Sequence, residues 1–520
     1  MKKMLVRTEF LVLNLALIPV IAFVFAVLPP PVHSLDEPGA LSSTIGQISG
    51  ERMMADVAAL SGIAFNGRQT GTADDLRSAQ WVADRFRTSQ LSLVAIPTDR
   101  LNTLDGAGEG LGPPTGFMST PHKAIIIAPA PVLQISTARV PLNQELGTDF
   151  LPVLDSPSAH VRAPIVFVGY GIVDPALSVN EYDGVDVNNC IVLFLRGKPD
   201  HYKGAITHAD KIRIAGQKGA IAYLTVTGPI LSAYEMRRGV TGRPSAFYSL
   251  SAEADTLPGA WISTSQVEYI LAGTDPSKPR HLRTIQEQLD ASPTSRSFRT
   301  DYFGVLEWEV RQEQGLLINV VATLPGTDPK MVNEAIVIGA HRDHFGKQAG
   351  LLFPGADDNA SGTAVMLEVA RTIAKLPIKP KRTLLFLSFS GEEQGLLGSR
   401  LYVGKPVIPL DHTKAMINID HAGIGNGRLT VGAAGVDKNL VQEAGRSAGL
   451  ADKVDVFGFF PGGDHVPFKE AGIPTVTVVS GGTHLHFHQP TDTVETLNQE
   501  ILVSAARYVL ALAWQLANAP

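Results

Sequence analysis

Ala335–His344 reads AIVIGAHRDH, an apolar run of strand length that ends abruptly in imidazole, guanidinium and carboxylate side chains. Similar apolar runs occupy 383–389, 415–419 and 475–479, and segments with helical periodicity separate them. Strands that alternate with helices predict an α/β domain with a largely parallel mixed sheet flanked by helices. The helices predicted in this part of the chain are 360–376, 440–449 and 500–516.

The residues that follow these strands carry the chemical signal. In such sheets ligands bind beyond the carboxyl ends of the strands. An aspartate before a helix is usually an N-cap, and a pair of glutamates is usually solvated surface. Here, however, acidic and imidazole side chains follow strand after strand, so we expect them to converge on one edge of the sheet. The converging segments are His341–His344, Pro354–Gly362, Glu392–Glu393, Asp420–His421 and His484–Asp492.

Imidazole and carboxylate groups without a thiol suit zinc or another borderline divalent ion. A pair of metals needs one shared carboxylate and two further ligands for each ion. A further carboxylate that stays unligated can act as a general base. Glu392 and Glu393 could divide these two tasks, because consecutive residues leaving a strand point in different directions. The segments therefore predict a two-metal hydrolytic site.

The same motifs resemble the zinc aminopeptidase family that includes bacterial leucyl aminopeptidase, glutamate carboxypeptidase and the transferrin receptor. The resemblance extends to the early segment Gly67–Thr72, and the middle of the chain looks like the protease-associated domain of many members. It implies the fold of that family, which is phosphorylase/hydrolase-like, with an inserted β-rich domain. The matching motifs follow the family's order: Gly339–Asp343, Pro354–Gly362, Glu392–Ser399, Asn418–Asp420 and His488–Asp492.

The resemblance also implies two zinc ions per chain and assigns their ligands. Asp358 would bridge the two ions. Glu393 and His488 would complete one site, and His341 and Asp420 would complete the other.

Two further roles follow from the resemblance. Glu392 would be the general base. Asp343 would orient a metal-bound imidazole and raise its basicity. Asp464 matches another position near the site.

Several alternatives stay open in the ligand set. Asp357 competes with Asp358, and only the family pattern Asp-Asn-Ala-Ser-Gly favours the second aspartate. Among the last three histidines, only the spacing to Asp492 favours His488. His421 stands where many relatives have an apolar residue. Further imidazoles that could substitute as ligands are those of His344, His484 and His486.

The predicted function is hydrolysis of N-terminal residues from peptide substrates, a preference that rests on the resemblance alone. Alternatives are a carboxypeptidase, a dipeptidase or another amidohydrolase of the same fold, a glutaminyl cyclase, and an inactive receptor-like relative. A carboxypeptidase needs a cation for the substrate carboxylate, for which Arg342 or Arg400 is a weak signal. Cyclases of this fold normally use one zinc and lack the insert, and receptor-like relatives lose ligands that this chain retains.

At 520 residues the chain is too long for one core, so we expect several domains. Short strand-like runs between about 124 and 260 predict a small β-sandwich or barrel, which would shape the substrate site or support the structure. A glycine- and proline-rich stretch at 101–114 predicts a loop or linker. The predicted divisions are 1–34 as signal peptide or anchor, 35–120 as the start of the peptidase domain, 121–295 as the β-rich insert and 296–520 as the main zinc peptidase domain.

The N-terminus has the pattern of an export signal. Basic residues precede an apolar run at 10–28 that ends in prolines at 29–31. The run approaches the length of a membrane span, so we expect a periplasmic or extracellular protein, either released or anchored to the membrane. The single cysteine, Cys190, permits no internal disulfide and is predicted to be a core residue. A net charge of −6 without a basic stripe argues against nucleic acid, and the sequence does not set an oligomeric state.

Overall fold

The structure is a computed structural model that describes residues 37–96, 116–137, 141–252, 256–273, 275, 277 and 279–520. The predicted signal or anchor at 1–34 and the predicted linker at 101–114 lie outside the described residues.

The α-helices of the described part are numbered in chain order. They are α1 Glu37–Ile45, α2 Gly50–Leu60, α3 Ala73–Thr88, α4 His208–Gln217, α5 Ala233–Arg237, α6 Thr264–Ala272, α7 Leu282–Ala291, α8 Gly362–Ala374, α9 Leu397–Gly404, α10 Lys438–Ser447, α11 His465–Glu470 and α12 Gln499–Asn518.

The strands are numbered in the same way. They are β1 Ser92–Leu93, β2 Phe117–Ile127, β3 Val132–Ser136, β4 Pro141–Asn143, β5 Phe150–Pro152, β6 Ala159–Phe167, β7 Val173–Asp174, β8 Val179–Asn180, β9 Ile191–Leu195, β10 Ala222–Val226, β11 Gly259–Ile262, β12 Phe298–Trp308, β13 Val310–Leu324, β14 Ala335–His341, β15 Gly346–Gln348, β16 Leu351–Phe353, β17 Thr383–Phe389, β18 Thr413–Ile419, β19 Leu429–Ala434, β20 Val454–Phe457 and β21 Thr475–Ser480.

A nine-stranded mixed sheet organises the C-terminal half. Its order is β1-β13-β17-β14-β18-β21-β19-β20, and β2 pairs with β13. The central strands β17, β14, β18 and β21 are parallel to one another, whereas β13 and β19 run antiparallel to their central neighbours. Every residue of β14 and β17 is buried, as expected for parallel strands covered on both faces. The predicted fold class, an α/β fold with a largely parallel mixed sheet flanked by helices, is confirmed.

Alternate residues of the central strands build two cores. Ile336 and Ile338 of β14 pack towards α8 and α12, while Val337 between them packs towards α9 and α11. This alternation follows from the two-residue period of a strand. By length and composition α12 could span a membrane, but 72% of its apolar window is buried in the fold. It is accordingly the core helix that covers one face of the sheet.

The middle of the chain forms an eight-stranded sheet with the order β4-β3-β12-β6-β9-β10-β11-β5. Strands β6, β9, β10 and β11 are parallel, and helices α4, α6 and α7 pack on its faces. The expected sandwich or barrel is therefore replaced by one open mixed sheet, because parallel strands require crossovers, and α4 and α5 supply those between β9, β10 and β11.

The strands of this second sheet lie between Val132 and Trp308, so the sheet extends past the predicted end of the insert at 295. The division into domains stays a prediction. Cys190 is buried and unpaired, which confirms its predicted place in the core.

Candidate metal centre

The predicted site residues lie at the carboxyl ends of neighbouring parallel strands. His341 ends β14, Glu392 and Glu393 follow β17, and Asp420 follows β18 directly. His488 lies in the loop after β21. Because these strands are adjacent in the sheet, their ends meet at one edge. The sequence-predicted residues are thus brought together in space.

A first group of possible ligands surrounds the imidazole of His341. Its Nε2 atom lies 3.4 Å from Oδ1 of Asp358 and 3.4 Å from Oδ1 of Asp420. Neither Nε2 of His341 nor Oδ1 of Asp420 has a hydrogen-bond partner, although both atoms are buried. Buried polar atoms without partners are costly, and a shared cation would satisfy them. These three residues could hold one divalent ion.

A second group of possible ligands meets the other carboxylate oxygen of Asp358. The Nε2 atom of His488 lies 3.1 Å from Oδ2 of Asp358 and 3.5 Å from Oε2 of Glu393. His344 also faces this group, since its Nδ1 lies 2.7 Å from Oε1 of Glu393. Asp358 therefore presents one oxygen to each group, as a bridging carboxylate would.

The adjacent aspartates Asp357 and Asp358 have different surroundings. The backbone leaves helical conformation at Asp358, with φ −108° and ψ 97°, inside the π-helical turn 356–361. The carboxylate of Asp357 instead faces His484, whose Nδ1 is 2.6 Å from its Oδ2, and His421, whose Nδ1 is 3.4 Å from the same oxygen. Its Oδ1 accepts hydrogen bonds from the amides of 423 and 424.

The remaining histidines differ in their distance from the two groups. His421 lies between Asp357 and the candidate ligands, with Nε2 3.5 Å from Oδ2 of Asp358 and 3.9 Å from Oδ1 of Asp420. His486 has its Nδ1 2.9 Å from Oγ1 of Thr491. Among the described residues, neither His486 nor His488 belongs to a cluster whose ligand atoms all lie within 4.8 Å of one another, whereas His421 and His484 form one with Asp357, and His344 forms one with Asp358 and Glu393.

The carboxyl of Glu392 lies beside the first group, with Oε2 4.0 Å from Nε2 of His341. Burial raises the pKa of this carboxyl to about 8, and the neighbouring carboxylate of Asp420 adds to the rise. Burial also raises the pKa of Asp464, the other carboxyl predicted near the site, to about 7. A carboxyl with a pKa near neutrality can both accept and return a proton.

Asp343 connects His341 to the elements behind it. Nδ1 of His341 lies 3.2 Å from the main-chain oxygen of Asp343 and 3.6 Å from its carboxylate Oδ1. The carboxylate accepts hydrogen bonds from the hydroxyl of Thr70 (3.1 Å) and the amide of Glu392 (3.3 Å). Asp343 therefore lies where a residue that orients the imidazole is expected.

The early segment 67–72 lies directly behind the site. Arg68 is fully buried, and its guanidinium donates hydrogen bonds to the carbonyls of Arg342 (2.6 Å), Pro354 (2.8 Å) and Gly355 (2.8 Å). These bonds join the end of β14 to the loop that carries Asp358. The segment therefore supports the loop without contributing a candidate ligand.

Asp492 has a function that the sequence did not reveal. Its two carboxylate oxygens accept hydrogen bonds from the amides of Asp357 (2.9 Å) and Asp358 (3.1 Å). Asp492 had served only to select His488 by spacing. In the structure it also holds the turn that presents Asp358.

A cleft of about 810 Å³ opens onto both groups. On one side it is lined by Asp358, Glu392 and His488, and on the other by residues of the second sheet's part of the chain, among them Arg196 and Phe247. A smaller cavity of about 120 Å³ adjoins Asp420. A substrate would therefore reach the site between the two sheets.

Parts of this chain are similar to known peptidases. Residues 319–513 match the model of peptidase family M28. The chain is 34% identical over 173 residues to an aminopeptidase, YwaD, of Bacillus subtilis. The aligned region covers 31% of this chain and 38% of that protein. Against the first curated relatives the chain spans between 38% and 64% of their length. The resemblance to the zinc aminopeptidase family is confirmed by these matches.

Solved structures extend the likeness to almost the whole chain. An aminopeptidase from Aneurinibacillus sp. strain AM-1 matches with a TM-score of 0.63 and 22% identity, over 92% of this chain and 96% of that one. BSAP, a zinc aminopeptidase from Bacillus subtilis, matches with a TM-score of 0.57 and 20% identity, over 91% and 96%. At these identities the likeness shows a common fold, which includes both sheets.

Proposed function

We propose that this chain, whose residues 319–513 match peptidase family M28, is a two-zinc aminopeptidase with Glu392 as its general base. One observation carries the proposal: the two oxygens of Asp358 face two separate imidazoles, 3.4 Å from His341 and 3.1 Å from His488. A carboxylate between two such groups is what a pair of metals requires. The proposed ligands are His341, Asp358, Glu393, Asp420 and His488.

Bound by these residues, zinc would supply Lewis-acid polarisation of the peptide carbonyl and acidify a water molecule. The choice of His488 over His344 is supported by contacts. Nε2 of His488 faces both Asp358 and Glu393, whereas His344 lies at hydrogen-bond distance from the other oxygen of Glu393. Burial lowers the pKa of the His344 imidazole well below its usual range. His344 would thus position Glu393.

Glu392 would accept a proton from the attacking water and return it to the leaving amine. Its side chain is 16% exposed and lines the cleft, whereas the side chain of Glu393 is only 5% exposed. The raised pKa of Glu392, about 8, suits a group that must exchange a proton near neutral pH. The peptide would enter through the cleft between the two sheets, next to both carboxyl groups.

The preference for a free N-terminus is supported by the relatives, which are named aminopeptidases. We further propose that the middle of the chain is a protease-associated type of insert. The export pattern of residues 1–34 supports a place outside the cytoplasm, either released or held at the membrane.

Glu392→Gln tests the assigned base. The amide cannot accept the proton, so we expect kcat on an aminoacyl anilide to fall by about 10²–10⁴-fold. Zinc content should stay close to two per chain, because the ligands are untouched. Glu470→Gln is the control, since that exposed carboxylate pairs with Arg400 at the surface. Hydrolysis by Glu392→Gln at the rate of the unaltered enzyme would refute the mechanism.

Substrate preference is tested with one peptide in two forms, with a free and with an acetylated N-terminus. We expect cleavage of the first residue only when its amino group is free. Release of the C-terminal residue from the acetylated peptide would instead identify a carboxypeptidase.

A further inference from the structure

A segment of the insert lies along the loop that carries His488. We call this segment, Arg237–Ala246, the strap; it connects α5 to the residues that lead to β11. Ala246 and His488 form two reciprocal bonds. The amide of Ala246 donates to the carbonyl of His488 (3.1 Å), and Nδ1 of His488 lies 2.8 Å from the carbonyl oxygen of Ala246.

The second of these bonds determines the state of the imidazole. A main-chain carbonyl can only accept, so Nδ1 of His488 must carry the hydrogen. The lone pair is then left on Nε2, which faces Asp358 at 3.1 Å and Glu393 at 3.5 Å. A metal ligand needs this tautomer and this ring orientation. Ala246 is fully buried, so water does not compete for its carbonyl.

Other contacts hold the strap against the same loop. The side-chain amide of Gln489 donates to the main-chain carbonyl of Pro244 (2.9 Å) and to the hydroxyl of Ser245 (2.7 Å). At the other end of the strap, the amide of His484 donates to the carbonyl of Arg237 (3.2 Å). Both ends of the strap are therefore bonded to the loop around His488.

Gly239 is a further place where the strap lies close to this loop. Its φ of +63° is in the left-handed region, and a β-carbon there would collide with the main-chain carbonyl of His484. Next to it, the guanidinium of Arg238 lies 4.6 Å from the ring of Phe487, which stacks on the ring of His488 at 3.6 Å. A larger residue at 239 would push the strap away from the loop.

We propose that the strap positions the zinc ligand His488, so that the insert sets the affinity for one of the two metal ions. The proposal rests on the proposed function, because it takes His488 as a ligand. The imidazole of His341 has no such dependence, since its Nδ1 faces Asp343 within the main peptidase region. Loosening the strap should therefore lower the zinc affinity of the site at His488. The zinc affinity of the site at His341 should not change.

Gly239→Ala tests this on the full-length protein. The two zinc affinities are measured by competition with a chelator, together with the Tm of the metal-free protein. Loss of a bond that orients a ligand typically costs about 10–100-fold in metal affinity, so we expect this loss at one position only. The zinc affinity of the site at His341 should equal the zinc affinity that remains in His488→Ala. Excess zinc should restore the activity of Gly239→Ala.

Gly184→Ala is the matched control. Its φ of +78° imposes the same backbone strain, but a β-carbon at 184 has no neighbour within 4 Å. We expect both zinc affinities of this control to be unchanged. Should Gly239→Ala fail to fold, Gln489→Leu removes the bonds to Pro244 and Ser245 and is judged by the same criterion.

Unchanged zinc affinities in the folded strap variant would overturn the proposal, and so would an equal loss at both positions, which indicates general destabilisation. An unaltered protein that binds no zinc would instead overturn the proposed function. Tight binding of two zinc ions without peptide hydrolysis would contradict the activity but leave the role of the strap standing.

Discussion

The two imidazoles of the proposed metal centre are held by different parts of the chain. Nδ1 of His341 faces the carbonyl of Asp343, two positions further along the sequence. Nδ1 of His488 faces the carbonyl of Ala246 in the strap, 242 positions away. The imidazole of His341 is therefore oriented from its own loop, whereas the imidazole of His488 is oriented from the strap. Substitutions should therefore be able to change the zinc affinity at His341 and the zinc affinity at His488 separately.

Asp358→Asn should have the largest effect, because the two carboxylate oxygens of Asp358 face His341 and His488. The amide keeps the shape but loses the charge that two cations would share, so we expect both zinc positions to be lost. Activity should fall to background, and metal analysis should find much less than one zinc per chain.

Asp357→Asn is the control for this prediction. Asp357 faces His484 and His421 rather than the two ligand groups, so zinc should stay bound in this variant. Retention of both ions in Asp358→Asn, with their loss in Asp357→Asn, would reverse the assignment of the bridging carboxylate.

Asp343→Asn should have a smaller effect, confined to the half at His341. The carboxylate of Asp343 lies 3.6 Å from Nδ1 of His341, and removing its charge lowers the basicity of the ligand. We expect a loss of about tenfold in zinc affinity at that position, measured by chelator competition, with the position at His488 unchanged. Unchanged affinity at both positions would mean that main-chain carbonyls alone orient the two imidazoles. The halves would then differ only in where those carbonyls come from.

The parts of the centre that the sequence predicts are those with local signals. β14 and β17 are buried on both faces and therefore read as continuous apolar runs, which place His341, Glu392 and Glu393 at strand ends. Asp357 and Asp358 are harder to separate, because the backbone turn that divides them has no signature of its own. Only the family pattern had favoured Asp358, and the structure places it between the two imidazoles.

The rest depends on contacts that no local pattern encodes. Every residue has a main-chain carbonyl, so nothing in the sequence distinguishes Ala246 from its neighbours. Asp492 presents a carboxylate to two amides that are 134 and 135 positions away, and such bonds leave no spacing to recognise. The short strands of the insert mislead for a related reason. Parallel and antiparallel strands look alike in sequence until the helices that connect them, such as α5 between β10 and β11, are identified.

Thr70→Val should have the smallest effect and tests how far the support for each half extends. The hydroxyl of Thr70 donates to the carboxylate of Asp343 (3.1 Å) and accepts from the amide of Gly391 (2.8 Å). Removing it leaves the amide of Gly391 and one carboxylate oxygen of Asp343 without this partner, which costs about 1–3 kcal/mol of unfolding free energy. Because Thr70 acts on His341 only through Asp343, we expect a loss of about two- to fivefold in zinc affinity at that position, smaller than for Asp343→Asn.

Ser245→Ala is the counterpart on the strap, since its hydroxyl accepts from Gln489 one step behind His488. Its small loss of zinc affinity should fall on the position at His488, while that of Thr70→Val falls on the position at His341. Chelator competition on the two variants side by side distinguishes the alternatives. If either variant lost the same zinc affinity at His341 and at His488, the two metal sites would be coupled through Asp358. The separate contacts behind the two imidazoles would then matter less than this coupling.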